Sequence, residues 1–221
     1  MTIAGKAGHL RWTAHALDTM IAPNLSALEV CGAQPVPELP SYTGALRLNR
    51  AVAGFRYPEG VEALLLAFMG RLRTAIAEYN IGREKLQSYV EAFPSEQRLS
   101  DHRKAVAHFE SAVLQLRVSI DCLHGAGTII GLPRLYENKD GSDYDRLREI
   151  SNRIKHFDED VTVAAKKGER VPIAPVWLTN VGLVASTAHL TFAEVEKIMR
   201  DQSIDAEAFS VKIPRQILEK R

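Results

Sequence analysis

The strongest constraint on this chain is the spacing of apolar residues along two otherwise polar stretches. In the first stretch they recur in alternating steps of three and four, at Val106, Phe109, Val113, Leu116, Ile120 and Leu123. In the second they recur in the same way, at Leu147, Ile150, Ile154, Phe157 and Val161. Because an α-helix has 3.6 residues per turn, each set lies along one side of a helix. The spacing predicts two helices, near 101–124 and 143–161, packed against each other at a small angle.

Further helices are indicated on the N-terminal side of this pair. Apolar residues at helical spacing over 60–93 predict two helices, because Gly82 interrupts the pattern. The run Gly125-Ala126-Gly127 predicts the end of the helix near 101–124. Another helix is expected to end near Pro23, and the Pro- and Gly-rich sequence from there to Pro58 predicts loop, with short strands as an open alternative.

The C-terminal part changes character. Residues 171–180 are β-branched and interrupted by proline, which predicts extended chain or a small hairpin around 175–186. Thr191 and Glu194 have the spacing of a capping box, which predicts the start of a last helix. The expected fold is mainly α, a helical bundle with a small C-terminal β-hairpin. We expect one compact domain, with an N-terminal helix and loop region over 1–59 and the bundle over 60–221.

Composition narrows the classes of function. The chain has 221 residues with 28 Lys and Arg against 27 Asp and Glu, so any RNA or lipid site has to be local. Two cysteines make neither a disulfide framework nor a cysteine-based zinc site. Phosphate-loop, serine-elbow and His-Glu-x-x-His motifs are absent, so we expect no metal and no cofactor. Val61–Met69, the longest dense apolar stretch, is too short to span a membrane, and we expect a cytoplasmic protein without membrane contact.

One helix carries an unusual number of groups that bind anions. Arg148, Asn152 and His156 follow one another at i, i+4 and i+8, so they form a polar row on the side away from the apolar set. Arg153 and Lys155 flank the polar row, and a phosphate lying along it would meet several donors. The alternative is an ordinary solvated helix surface whose charge is balanced by Asp145 and Glu149.

The segment from Leu147 to Phe157 reads Leu-Arg-x-Ile-x-Asn-x-Ile-x-His-Phe. Together with the long helix and linker before it, from about 100 to 160, it resembles the HEPN domains, α-helical bundles of prokaryotic toxin, antitoxin and phage-defence proteins. The resemblance implies a homodimer whose two motifs meet in a cleft. Active members of the family are metal-independent endoribonucleases with an Arg, usually followed by a polar residue, and a His, with about four to six residues between the Arg and the His.

This sequence departs from that pattern at one position. When Asn152 is placed at the polar position, Ser151 stands where the family has Arg. The resemblance then implies His156 as general acid or base, with Arg148 or Arg153 as a substitute cation. It also implies that phosphate is bound by Asn152, Arg153, Lys155 and Ser151.

Three functions remain open at this stage. The first is an RNA- or nucleotide-associated protein of a bacterial stress or defence system that has lost catalysis. The second is an active endoribonuclease, and the third is a non-catalytic module that binds another protein. The sequence does not decide whether the protein is an enzyme.

Overall fold

A computed structural model describes residues 13–42, 44, 57–93, 95–133, 139–169, 171, 173–186 and 188–211. Its helices are α1 (Ala14–Met20), α2 (Val61–Ala92), α3 (Leu99–Ile129), α4 (Asp143–Lys155), α5 (Phe157–Lys167) and α6 (Phe192–Val211). Its strands are β1 (Trp177–Leu178), β2 (Gly182–Ala185) and β3 (Ala188–Thr191). The fold is mainly α, as the sequence predicts. No helix in the described ranges has both the length and the apolar character needed to cross a membrane.

Helices α2 and α3 form a long antiparallel hairpin at the centre of the molecule. Contacts between them run from the rings of Tyr89 and His102 near the connecting turn to Leu64 and Gly125 at the far end. The predicted apolar residues of α3 are all buried from Phe109 to Leu123, and Val106, one turn earlier, is half-buried. Alternating steps of three and four therefore identified the surface of α3 that packs in the core.

The glycines do not end these helices where the sequence indicated. The prediction of two helices over 60–93 was wrong, because Gly82 lies inside the single helix α2. A side chain at Gly82 would bring its Cβ within 3.3 Å of ring carbons of Phe109, so the glycine permits a close approach of α3. Gly125 and Gly127 likewise lie inside α3, which continues to Ile129. Packing along the hairpin outweighs the low helix propensity of glycine.

The single helix expected over 143–161 is divided at His156. The backbone of His156 leaves helical geometry (φ −108°, ψ 22°), so α4 ends at Lys155 and α5 begins at Phe157. Leu147 and Ile150 enter the core, whereas Ala164 is the one buried residue of α5. Basic residues in the last turn of α4 and acidic residues in the first turn of α5 complement the dipoles of the two new helix ends.

A three-stranded antiparallel sheet joins the bundle to α6. The predicted hairpin corresponds to β1 and β2, with Trp177 opposite Val184, and β3 pairs with β2 as a further strand. The capping box at the start of α6 is confirmed: Glu194 Oε2 accepts from the Thr191 N–H at 2.8 Å, and Thr191 Oγ1 accepts from the Glu194 N–H at 3.2 Å.

The N-terminal segment packs on the same core. Among its described residues, 21–42 contain one 3₁₀ turn, Leu25–Ala27, and no strand. Leu28, Val36 and Leu39 are buried with the bundle residues. Both hydrogen-bonding groups of the Val36 backbone are satisfied by the Asn80 side chain of α2, at 3.0 and 2.8 Å. The expected helical residue Leu10 and the predicted loop over 45–56 lie outside the described residues.

Candidate nucleic-acid site

An open groove of about 310 Å³ lies where α4 meets α5. Three of the residues singled out from the sequence, Asn152, Arg153 and His156, line it. The other lining residues are Glu149, Asp160 and Ala188. The backbone break at His156 lies at this α4–α5 groove, where Asp160 of α5 pairs with Arg153 of α4.

Two side chains of the α4–α5 groove, Arg153 and His156, are paired with exposed carboxylates. Arg153 Nη1 lies 3.3 and 3.2 Å from the two carboxylate oxygens of Asp160. Nδ1 of His156 lies 3.1 Å from Oε1 of Glu159, and both side chains are more than half exposed. Exposed pairs of this kind contribute at most about 1 kcal/mol. A phosphate entering the groove can therefore compete with either carboxylate.

Arg148 is directed away from the α4–α5 groove. Its Nη2 and Nε donate to Oδ1 of Asp145 at 2.7 and 3.2 Å. Asp145 is only 7% exposed and also accepts from the backbone N–H groups of Lys139 and Gly141. Burial alone would raise the pKa of Asp145, but these hydrogen bonds and the Arg148 charge outweigh burial and lower it. Arg148 therefore stabilises the start of α4. The polar row is divided, because only Asn152 and His156 of its three residues line the groove.

Ser151 and Lys155 occupy contrasting positions. Ser151 is completely buried, and its hydroxyl donates to the carbonyl oxygen of Arg148 at 2.9 Å. The side chain at this position therefore points into the fold, so position 151 supplies no group to the groove. Lys155 is exposed in the last turn of α4, and no described residue pairs with it.

Sequence reasoning missed two parts of the α4–α5 groove. Ala188 joins Arg153 and His156 only after β3 packs against α4, so no local signal in the sequence could have placed it there. Asp160 stands four residues after His156 and seven after Arg153, a spacing that keeps all three on one side of a helix, so its place in the groove could have been inferred from the sequence. No group of three His, Cys, Asp or Glu residues within the described ranges is arranged to hold a metal ion.

Three comparisons with known proteins were negative. No protein-family model matches the chain, and neither the curated proteins nor the solved structures yield a match.

Proposed function

We propose that the α4–α5 groove binds phosphate groups of RNA or a nucleotide, and that the protein is a non-catalytic, HEPN-like member of a bacterial stress or defence system. The observation that carries this proposal is the convergence of Asn152, Arg153 and His156 on one open groove. An amide, a guanidinium and an imidazole are all donors to phosphate oxygens. Lys155, exposed in the same turn of α4, adds a cation beside them.

The positions of the arginines favour binding without cleavage. Attack of a 2′-hydroxyl on the adjacent phosphate needs an acid or base and a cation at the developing charge. His156 offers the first of these groups. Arg148, however, donates to buried Asp145, and position 151 is inside the fold. Loss of a positioned donor of this kind lowers rates on the order of a hundredfold or more.

The active endoribonuclease is the second candidate, and one observation favours it. Arg153 is the guanidinium that lines the groove with His156, and Asp160 holds it there. In this case Arg153 would supply the cation that the family takes from the position of Ser151. A protein-binding module is the third candidate, favoured by the two acidic residues in the same groove, Glu149 and Asp160.

The proposal includes a homodimer in which two α4–α5 edges meet and their donors face one phosphate backbone. Static light scattering of the purified protein at micromolar concentration should give twice the chain mass. Arg153→Glu and His156→Ala, which change two exposed side chains of this edge, should shift the mass toward one chain. A single-chain mass for the wild-type protein, with both variants unchanged, would remove the dimer while leaving phosphate binding to be judged by its own test.

Binding and cleavage are separated by one assay on labelled single-stranded RNA in EDTA. Affinity is measured at several salt concentrations, and the same samples are resolved for cleavage products. Arg153→Gln should weaken binding about tenfold and reduce the salt slope by about one, because one phosphate contact is lost. Arg98→Gln is the matched control, since Arg98 is also an exposed arginine paired with an acid, Glu96, but lies at the start of α3.

Each outcome of the assay decides between the candidates. Salt-sensitive binding without cleavage, weakened by Arg153→Gln and not by Arg98→Gln, supports the proposal. Metal-independent cleavage that His156→Ala abolishes would identify the endoribonuclease instead. Neither binding nor cleavage, or equal weakening by both arginine variants, contradicts a phosphate site in the α4–α5 groove.

A further inference from the structure

A second groove, of about 260 Å³, lies between α1, α3 and the extended segment before β1. Its apolar walls include Met20, Ile21, Val106, Ile173 and Val176. Met20 is 61% exposed and Ile173 is 47% exposed, so large apolar side chains border the opening. This α1–α3 groove shares no lining residue with the α4–α5 groove.

A buried imidazole lines the same α1–α3 groove. His102 is only 3% exposed, and its ring packs on that of Tyr89 with 5.4 Å between centroids. Its Nδ1 is buried and has no hydrogen-bond partner. Burial, followed by the nearby charge of Arg103, lowers the pKa of His102 to about 4, so the ring is neutral at pH 7. A buried polar atom without a partner is unusual in a folded protein, and a ligand in the groove is one way to supply that partner.

The next residue gives the groove its charge. Arg103 lines the groove, is exposed, and forms an ion pair with no described residue. None of the described residues that line the groove is acidic. The groove therefore combines an unneutralised guanidinium and a neutral imidazole, from consecutive residues of α3, with a wall that is otherwise apolar. This arrangement complements an anion with an apolar body.

We propose that the α1–α3 groove binds a small carboxylate with an apolar tail. The carboxylate lies against the Arg103 guanidinium and the His102 imidazole. The tail lies against Met20, Val106 and Val176. The groove is at the small end of the range for ligand sites, so the ligand has a short chain or a single ring. This site is independent of the proposed phosphate site.

The charge requirement is tested with three probes that share one tail. Isothermal titration calorimetry of the full chain is performed with hexanoate, 1-hexanol and hexylamine at pH 7.5. Hexanoate should bind at least tenfold more tightly than hexanol, because it alone makes charge-assisted hydrogen bonds. Hexylamine should not bind. Failure of hexanoate to bind at millimolar concentration, or equal binding of the acid and the amine, overturns the proposal.

Matched variants locate the site. Arg103→Gln should weaken hexanoate binding about tenfold, whereas Lys104→Gln removes the same charge from the adjacent exposed residue, outside the groove, and should change nothing. Val106→Phe narrows the apolar wall and should weaken binding of hexanoate and hexanol together. Circular dichroism establishes that each variant is folded. Equal weakening by the two charge variants, or unchanged binding in Arg103→Gln, contradicts the proposal.

Discussion

The phenol of Tyr79 donates a 2.7 Å hydrogen bond to Oε1 of Glu196, and both residues are buried. The same oxygen accepts from the backbone N–H of Gln34 at 2.7 Å, and the other oxygen accepts from Arg200 at 3.2 Å. One carboxylate of α6 is thereby bonded to α2 and to the N-terminal segment. Buried charges are tolerated when they are bonded in this way.

Tyr79→Phe should lower the free energy of unfolding by about 1–3 kcal/mol, because Glu196 loses a buried donor. The ring itself is retained and still packs on Phe109 and Phe192, whose centroids lie 5.4 and 6.4 Å away. Urea denaturation followed by circular dichroism measures the change. An unchanged midpoint and slope would mean that the Tyr79 hydroxyl does not stabilise the buried carboxylate.

Two glycines of α2 should respond differently to alanine. Gly70→Ala should raise the free energy of unfolding by about 0.5–1 kcal/mol, because a Cβ there meets open space and alanine is the better helix former. Gly82→Ala gains the same propensity, but its Cβ would lie 3.3 Å from Phe109 and His108. It should therefore be the less stable variant in thermal unfolding. Equal stabilisation by both substitutions would show that α3 shifts to accommodate the Cβ at position 82 without loss of stability.

His102 should make stability depend on pH. The unfolded chain binds a proton at His102 below about pH 6.5, whereas burial keeps the folded pKa at about 4. The unfolded state therefore holds more protons between these values, and the free energy of unfolding falls as the pH is lowered, by up to about 3 kcal/mol. His102→Gln should remove this contribution from urea unfolding measured between pH 7 and pH 4.

The exposed His189 of β3 supplies the control for that measurement. His189→Gln replaces an exposed imidazole by the same side chain, so it reports what the substitution alone does to stability. If the His102→Gln profile parallels the wild-type profile over the same range, the imidazole is not held neutral by the fold.

Asn180 should control the exchange of backbone amides in the N-terminal segment. Its Oδ1 accepts from the N–H groups of Glu29 and Val30 at 2.9 and 3.1 Å, and its Nδ2 donates to Ala27 at 3.3 Å. Asn180→Ala should cost about 1 kcal/mol and accelerate hydrogen exchange at Glu29 and Val30. Asn152→Ala, which removes an exposed asparagine of α4, should not. Equal exchange in the two variants would contradict the role of Asn180.

Local signals in the sequence identified one buried helix side and one helix start correctly. The apolar spacing over 106–123 identified the buried side of α3, and Thr191 with Glu194 identified the start of α6. Both signals are local, since they depend on residues within a few turns of each other. Gly82 was misread because its effect depends on Phe109, which belongs to another helix.

The candidate site was only partly predictable. The sequence identified Asn152, Arg153 and His156, and the structure brings them into one groove. Spacing on a continuous helix also placed Arg148 with them. The buried carboxylate of Asp145 binds that guanidinium instead. The spacing of residues on a helix does not predict which partner a long side chain will contact.

Local sequence by itself determined that this chain is mainly helical and which sides of its helices are apolar, because helix periodicity and capping act over a few residues. Only the tertiary structure decided that Gly82 and Gly125 continue their helices, that the chain bends at His156, and that Nδ1 of His102 is buried without a hydrogen-bond partner. Those outcomes depend on burial and on contacts between residues distant in the sequence. These contacts determine whether a helix that continues, a bend or a buried polar atom has the lower free energy at each position.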